Sequence, residues 1–127
     1  MKPATSARSQ RMHKKHQALQ RGAAGEWRAA WALRLKGWRI VERNFRCPLG
    51  EIDIIARKRD LIAFVEVKTR PSRQLALDAV GVQAQRRIAN AASTWIGRQR
   101  DAAQLSWRFD IIAIVPWRFP VHQPDAF

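Results

Sequence analysis

Residues 50–70, GEIDIIARKRDLIAFVEVKTR, decide the fold of this chain. Two apolar, β-branched runs flank the polar segment RKRD, a pattern typical of two antiparallel strands joined by a hairpin turn. Three carboxylates, Glu51, Asp53 and Glu66, interrupt these runs. A charged side chain is costly to bury unless it is paired or binds a metal, so the three carboxylates require a chemical explanation.

The spacing within the hairpin predicts which side chains share a face. With RKRD as a four-residue turn, Ala56 pairs with Leu61, and Asp53 and Glu66 become diagonal neighbours with Cβ atoms about 7 Å apart. A two-residue turn gives the same faces, whereas a loop of odd length does not. The residues predicted on one face are Glu51, Asp53, Glu66 and Lys68, and those predicted on the opposite, core face are Ile52, Ile54, Val65 and Val67.

Two carboxylates and a lysine on one face of a basic protein have a chemical interpretation. Asp53 and Glu66 can reach one divalent ion, and Mg²⁺ prefers a few carboxylates completed by water and phosphate oxygens. A bound metal activates water and neutralises charge on a phosphodiester, and Lys68 can stabilise the charge that develops there. The alternative is a surface ladder of ion pairs, Glu66 with Lys68 and Glu51 with an arginine, which would contribute little stability.

The charge of the whole chain indicates a polyanionic partner. Its 127 residues carry 24 Lys and Arg against 10 Asp and Glu, a formal net charge of +14, and nucleic acid is the simplest partner for such a protein. A basic but merely solvated surface is the alternative, because charge alone does not identify a partner. With one cysteine, Cys47, no signal-peptide core and no apolar run of about 20 residues, the chain is expected in the cytoplasm and not in a membrane.

The remaining segments predict one mixed α/β domain. Residues 1–21 are basic and lack acids, so we expect a disordered arm there, a domain over 22–117 and a C-terminal tail without regular structure at 118–127. The predicted elements are a helix at 24–36 ended by Gly37, strands at 38–45, 50–56 and 61–69, a helix at 77–100 and a strand at 106–115. This order, α-β-β-β-α-β, implies a right-handed crossover and hence a mixed β-sheet flanked by helices.

Tryptophans and one late carboxylate have competing interpretations. Trp27, Trp31 and Trp95 lie on the apolar stripes of predicted helices, so packing is favoured over stacking on unpaired bases. Asp110, in the last predicted strand, either supports a site from a distance or pairs with an arginine, and pairing is favoured. These residues are therefore expected to serve the fold.

An acidic residue followed by a hydrophobic strand that ends in Glu-x-Lys, here Asp53 and Glu66-Val67-Lys68, resembles the PD-(D/E)xK nuclease signature. The likeness extends over about residues 22–115, where the chain is similar to the bacterial YraN family. The segments that carry it are Gly25-Glu26, Arg43-Asn44-Phe45-Arg46, Gly50-Glu51-Ile52-Asp53, Phe64-Val65-Glu66-Val67-Lys68-Thr69-Arg70, Ala79-Val80, Arg86-Arg87 and Phe109-Asp110. That family is similar to archaeal Holliday-junction resolvases, so the resemblance implies an α/β, restriction-endonuclease-like fold.

The resemblance also implies a role for each residue of the motif. Asp53 and Glu66 would be ligands of Mg²⁺ or Mn²⁺, joined by the Val67 carbonyl, and Lys68 would be the catalytic lysine. Glu26, on the first helix, would be a further catalytic acid that holds metal or orients water, although on its own it reads as a partner of the helix dipole. The arginines expected to contact nucleic acid are Arg46, Arg70, Arg86 and Arg87.

One departure from the family concerns the second predicted helix. At the position before Gln85-Arg86-Arg87, where the family usually has a lysine, this chain has Ala84. A lysine at this position could contact phosphate, so its loss bears on substrate affinity and on turnover.

These inferences lead to a Mg²⁺-dependent nuclease acting on DNA, with branched DNA as one candidate substrate. A nuclease-fold module that binds nucleic acid without useful turnover is the alternative, and an assembly role with an acidic partner is a third. Cleavage of a junction would suit a homodimer with paired sites. Because no base-reading motif appears, the sequence does not distinguish duplex, junction, single strand or RNA.

Overall fold

A computed structural model describes residues 22–127, so the basic arm expected at 1–21 lies outside the described residues. In chain order the elements are α1 (described from 22 to 35), β1 (Arg39–Cys47), β2 (Gly50–Lys58), β3 (Leu61–Thr69), α2 (Arg73–Asp78), α3 (Val82–Gly97), a 3₁₀ turn (Ala102–Gln104), β4 (Ser106–Ile114) and β5 (Val121–Gln123). The strands lie in the order β1-β2-β3-β4-β5, with β3 and β4 parallel and the other neighbours antiparallel. The predicted mixed sheet is confirmed, and it is consistent with a restriction-endonuclease-like core.

Helices cover both faces of the sheet with apolar side chains. On one face lies α3, whose buried residues are Ile88, Ala91, Ala92 and Trp95. On the other lies α1, whose buried residues are Ala29, Ala30 and Leu33. Because both faces of the central strands are covered, those strands read as nearly continuous apolar runs. No helix within residues 22–127 combines the length and apolar character needed to cross a membrane.

Gly37 ends α1, as the sequence predicted. Its φ of +90° is in the left-handed region, which glycine adopts without strain. The N–H group of Gly37 donates to the Arg34 carbonyl, and that of Trp38 donates to the Leu33 carbonyl, both at 3.0 Å. These two bonds form the Schellman motif that commonly closes a helix. The chain then turns directly into β1.

The β2–β3 hairpin is tighter than predicted. Lys58 pairs with Leu61, so the turn has two residues, Arg59 and Asp60, and the four-residue turn was wrong. Arg59 has a φ of 56°, as two-residue turns commonly require. Two residues and four residues have the same parity, so the predicted assignment of side chains to the two faces of β3 is retained.

Ile52 does not lie on the face that strict alternation predicted. Ile54 and Val65 pack in the apolar cluster under α1, whereas Ile52 packs with Phe45 in the cluster under α3. The neighbouring strand β1 is distorted at Asn44, whose φ of 53° is left-handed. Asn44 lies between the partners of Ile52 and Ile54, so the distortion of β1 and the break in the alternation of β2 lie at the same level of the sheet.

The helix predicted at 77–100 is interrupted at Gly81, so α2 and α3 are separate helices. A glycine inside a helix costs about 1 kcal/mol relative to alanine, which favours a break at this residue. Gly81 instead has extended backbone and caps α3, and its carbonyl accepts the Gln85 N–H at 2.9 Å. The Gln85 side-chain amide donates to the Val80 carbonyl at 3.1 Å and satisfies a second backbone group at the break.

The tail after β4 was expected to lack structure, and this was wrong. Residues Val121–Gln123 form β5, which pairs antiparallel with β4 and places His122 opposite Ile112. The ring of Phe127 stacks on that of Phe109 with 5.2 Å between centroids. The last residues of the chain are therefore packed on the sheet.

Asp110, on β4, fixes this tail. Its side chain is 0% exposed, and its carboxylate accepts hydrogen bonds from Arg108 Nε at 3.0 Å, His122 Nε2 at 2.7 Å and the Asp125 N–H at 3.0 Å. Lys36 Nζ lies 3.3 Å from His122 Nδ1, which assigns the ring hydrogen to Nε2. Burial raises the pKa of Asp110, but hydrogen bonds from His122, Asp125 and Arg108 outweigh burial and lower it overall. The predicted pairing of Asp110 with an arginine is confirmed.

We expect Asp110→Asn to destabilise the fold by about 3 kcal/mol, because the amide leaves buried donors without a charged acceptor. Urea denaturation measures the change. Asp60→Asn removes an exposed partner of Arg57 and is the matched control, with an expected loss of less than about 1 kcal/mol. Equal effects of the two substitutions would contradict the structural role of Asp110.

Gly50 lets the start of β2 touch the backbone of α3. A Cβ atom built at Gly50 lies 2.0 Å from the Arg87 carbonyl oxygen, a clash that only a backbone shift can relieve. We therefore expect Gly50→Ala to lower the free energy of unfolding by about 2 kcal/mol. Gly97→Ala is the control in the same fold, because nothing lies within 4 Å of its added Cβ. Denaturation of both variants tests this, and a Gly50→Ala protein as stable as the control would contradict it.

Candidate active site

The candidate site lies where β2 and β3 separate. Their recorded pairing ends with Ile54 opposite Val65, while β2 continues to pair with β1 and β3 continues to pair with β4. Asp53 and Glu66 are the next residues on the two strands, so the same register continued by one step sets them opposite each other. The predicted diagonal placement was wrong, because the tighter turn shifts the register by two residues. Both carboxylates therefore lie at the point where the sheet opens.

The backbone of Val67 closes this opening from the β3 side. Its N–H group donates to Asp53 Oδ2 at 2.8 Å, so a carboxylate replaces the strand partner that β2 no longer provides. The N–H and C=O groups of one strand residue point to the same side, so the Val67 carbonyl also faces the opening. In agreement, the Arg70 N–H donates to the Ile114 carbonyl of β4, on the other side of β3.

Asp53 and Glu66 form a hydrogen-bonded pair of carboxyl groups, and their raised pKa values predict that the two share a proton near neutral pH. Burial raises the pKa of Glu66 to about 8, and the charge of Asp53 adds to that rise, while the charge of Lys68 opposes it. Burial also raises the pKa of Asp53, opposed by hydrogen bonds from the Val67 N–H and from Glu66. Two hydrogen-bonded carboxyl groups are difficult to ionise together unless a positive charge lies beside them.

Lys68 provides a positive charge beside the pair. Its Nζ atom lies 3.5 Å from Glu66 Oε1, and its side chain is 26% exposed, which leaves the ammonium group accessible from the cleft. An ion pair between Glu66 and Lys68 was part of the alternative surface ladder predicted from the sequence, and this contact exists. However, a ladder of exposed ion pairs does not explain partly buried carboxylates with raised pKa values.

Glu26 reaches the same cleft from α1. The preceding residue, Gly25, allows close packing of the helix on the sheet, since a Cβ there would lie 2.9 Å from Thr69 Oγ1. Burial raises the pKa of Glu26, and the charge of Asp53 raises it further, while a hydrogen bond with Asn44 lowers it. Asn44 lies in one of the segments that carry the resemblance to the YraN family, but its hydrogen bond with Glu26 was not predicted. Its place in a strand that otherwise favours extended residues is the signal that could have identified it.

These groups line one cleft of about 420 Å³. Its lining residues are Gly22, Glu26, Glu51, Asp53, Glu66, Val67, Lys68, Thr69 and Arg70. The four charged side chains predicted on one face, Glu51, Asp53, Glu66 and Lys68, thus meet in one place. The structure brings together all of the predicted catalytic and metal-binding residues.

The donor set fits a small, hard divalent cation. Within residues 22–127 no three Asp, Glu, His or Cys side chains form a metal-binding group, so the protein offers the two carboxylates of Asp53 and Glu66 together with the Val67 carbonyl. Mg²⁺ usually keeps several waters and binds through one or two carboxylates plus substrate oxygens. Glu26 lies nearby without completing a three-carboxylate group, which suits a role toward water.

A smaller cavity of about 120 Å³ extends the cleft toward α3, and its lining includes Glu51, Glu66, Lys68, Ala84 and Arg87. Ala84 therefore borders Glu66 and Lys68, at a position where the resemblance leads one to expect a lysine. The methyl group leaves open space on this wall. Any phosphate contact from α3 at this point depends on Arg87.

The four predicted nucleic-acid-binding arginines surround the cleft unequally. Arg70 lines the main cleft and Arg87 lines the smaller cavity. Arg46 lies 3.6 Å from Glu51, with both side chains exposed. Arg86 is exposed on α3, outside the described lining of the two cavities. The cationic rim is thus formed by residues from β1, from α3 and from the segment directly after β3.

Two tryptophans expected to pack in the core are on the surface. Trp27 is 57% exposed and Trp31 is 46% exposed, so the packing prediction was wrong for both. It was correct for Trp95, which is 4% exposed and contacts Phe64 edge to face. The small residues of α1 form its buried stripe, which was the signal that its tryptophans point outward.

Comparison with known proteins gives a family match over most of the chain. Residues 25–114 match the model of Uncharacterised protein family UPF0102. The chain is 52% identical to a UPF0102 protein of Mesorhizobium japonicum, over 89% of this chain and 90% of the relative. It is 55% identical to one of Rhizobium meliloti, over 90% and 93%, and 53% identical to one of Agrobacterium fabrum, over 91% and 94%.

The raised pKa of Glu66 predicts how stability depends on pH in chelator-treated protein. The folded state holds the proton of Glu66 up to about pH 8, whereas the unfolded state releases it near the ordinary value of 4.5. Between these values the folded state binds more protons, so the free energy of unfolding falls as pH rises. Glu66→Gln cannot ionise, and we expect it to remove that decline.

Urea denaturation at about pH 5.5 and about pH 8.5 measures this effect. Asp60→Asn, in the exposed hairpin turn, is the control and should keep the wild-type decline. If wild type and Glu66→Gln lose stability equally between the two conditions, the shared proton does not exist.

Proposed function

The chain belongs to Uncharacterised protein family UPF0102, and from this premise we propose that it is a Mg²⁺- or Mn²⁺-dependent nuclease that hydrolyses phosphodiester bonds of DNA. The observation that carries the proposal is the convergence of Asp53 and Glu66, both with raised pKa values, and of Lys68 beside them, in a cleft at the opening of the central hairpin. Partly buried carboxylates with raised pKa values in a cleft of a basic protein indicate a functional site.

Each residue of the cleft has a separate role in the proposed hydrolysis. Asp53, Glu66 and the Val67 carbonyl hold the cation, which when bound neutralises charge on the phosphate and lowers the pKa of water. Lys68 donates hydrogen bonds to the oxygens on which negative charge develops. Glu26, whose pKa is raised toward the working range, orients the attacking water and accepts its proton.

Charge around the cleft supports a nucleic-acid substrate. The formal net charge is +14, and Arg46, Arg70 and Arg87 lie at or beside the acidic cleft. Phosphate contacts of this kind position a backbone but carry no sequence information. The enzyme is accordingly expected to recognise the form of the DNA, including branched forms, rather than its sequence.

A second candidate function is a nuclease-fold module that binds DNA without useful turnover. Ala84 favours it, because this residue borders Glu66 and Lys68 where the resemblance leads one to expect a lysine. The two candidates differ in whether the acidic pair takes up a cation productively. Metal binding and cleavage therefore distinguish them.

We expect Mg²⁺-dependent cleavage of labelled linear or four-way-junction DNA, lowered at least about 100-fold by Asp53→Asn, Glu66→Gln or Lys68→Ala. Asp78→Asn, an exposed acid on α2, is the control and should cleave as wild type does. Loss of cleavage in the control as well would assign the effect to net charge and not to the cleft.

Metal uptake gives a second readout that needs no turnover. Binding of Mn²⁺ or Mg²⁺ must displace the shared proton, so calorimetry at about pH 7 in buffers of different ionisation enthalpy should show release of about one proton per chain. Glu66→Gln should abolish both binding and release. A wild type that binds DNA, takes up no metal and cuts nothing is the binding module.

A further inference from the structure

An apolar groove on the outer face of α1 has no part in the proposed chemistry. It lies between α1 and the segment that follows β4, and its volume is about 490 Å³. The aromatic and aliphatic residues that line it include Trp27, Trp31, Leu35 and Phe119, and its cations are Arg28 and Lys36. Trp27 and Trp31 are about half exposed and Phe119 is 91% exposed, so a large aromatic surface faces solvent.

The groove is held in a defined shape. The rings of Trp27 and Trp31 are one helical turn apart, with centroids separated by 6.1 Å and planes inclined at 70°. Arg28 Nη2 donates to the Arg118 carbonyl at 2.8 Å and ties the segment after β4 to α1. The guanidinium carbon of Arg34 lies 5.4 Å from the centroid of the Trp31 ring. Cations are thus fixed beside exposed aromatic faces.

Among residues 22–127, the charged side chains that line the groove are positive. Neither Asp nor Glu is among these lining residues, and Glu26, the carboxylate of the described part of α1, lines the acidic cleft instead. A ligand that offers both flat apolar rings and negative charge complements such a surface. Unpaired nucleotides have this chemistry, because bases stack on aromatic side chains while cations bind their phosphates.

We propose that the groove binds single-stranded nucleotides, with bases stacked on Trp27 and Trp31 and phosphates bound by Arg28, Arg34 and Lys36. The inference rests on the proposed function, since the ligand is part of the same DNA. Glu26 lines the cleft and the next residue, Trp27, lines the groove, so the two sites flank the same part of α1 and one DNA molecule can contact both. The substrate class is DNA with an unpaired segment beside the scissile phosphate.

A second copy of the chain fits the groove less well. In a two-fold dimer the same surface patch faces itself. Arg28 and Lys36 would then approach their own counterparts, with no carboxylate among the lining residues to pair with them. Charge complementarity therefore favours a polyanion over a self-interface.

Affinity for three labelled DNAs tests the proposal in the full chain with Glu66→Gln, which prevents cleavage. The probes are a single strand of about 12 nucleotides, the same length of abasic deoxyribose phosphate and a duplex of that length. We expect Trp27→Ala/Trp31→Ala to weaken single-strand binding by at least about 10-fold, and to change binding of the other two probes by less than about 2-fold. Trp107→Ala, which removes a 49% exposed tryptophan elsewhere, is the control and should bind all three as the parent does.

Each other outcome overturns the proposal in a recognisable way. Unchanged single-strand affinity, or equal losses on all three probes, means that the bases do not stack on these tryptophans. A parent that sediments as a dimer, and becomes monomeric in the tryptophan variant with unchanged affinity, identifies the groove as a self-interface. In either case, metal-dependent cleavage by the wild-type chain would still support the nuclease proposal. If the parent binds none of the probes, nucleic acid is not the partner, and both the groove proposal and the nuclease proposal are contradicted.

Discussion

The hydrogen bond from the Val67 N–H group to the Asp53 carboxylate is the interaction on which the centre of the protein depends. At this point β2 and β3 stop pairing, and an unpaired strand in the middle of a sheet would leave buried backbone groups without partners. The carboxylate satisfies one of them, and in doing so it is itself held in place. The same bond therefore permits the opening of the sheet and orients an acid within it.

The packing of α1 explains why one helix serves two surfaces. Gly25, Ala29 and Ala30 are small and buried, so the helix lies close to the sheet and Glu26 reaches the cleft. A side chain as large as tryptophan does not fit at these three positions, and Trp27 and Trp31 lie on the outer side. The depth of Glu26 and the exposure of the tryptophans are thus two results of one packing constraint.

The order of strands and helices was enough to predict the mixed sheet, and alternation with an even number of turn residues was enough to predict the convergence of Asp53, Glu66 and Lys68. The register of the hairpin was not predictable from pattern, because turns of two and four residues give the same faces. The reversal of Ile52 occurs beside the left-handed residue Asn44 of a neighbouring strand, an irregularity with no periodic signal in the sequence. The exposure of the tryptophans on α1 was not predicted, because only their apolar character was considered. The size of the neighbouring residues that pack against the sheet was not.

The short strand β5 protects the sheet as well as extending it. The last five residues of β4 are buried, and without a neighbour they would form a flat apolar edge able to pair with another chain. Three residues of β5 cover part of that edge, and a strand of this length is a poor template for further pairing. Because the buried carboxylate of Asp110 accepts a hydrogen bond from His122 of β5, one polar contact in the core also holds in place the strand that covers this edge.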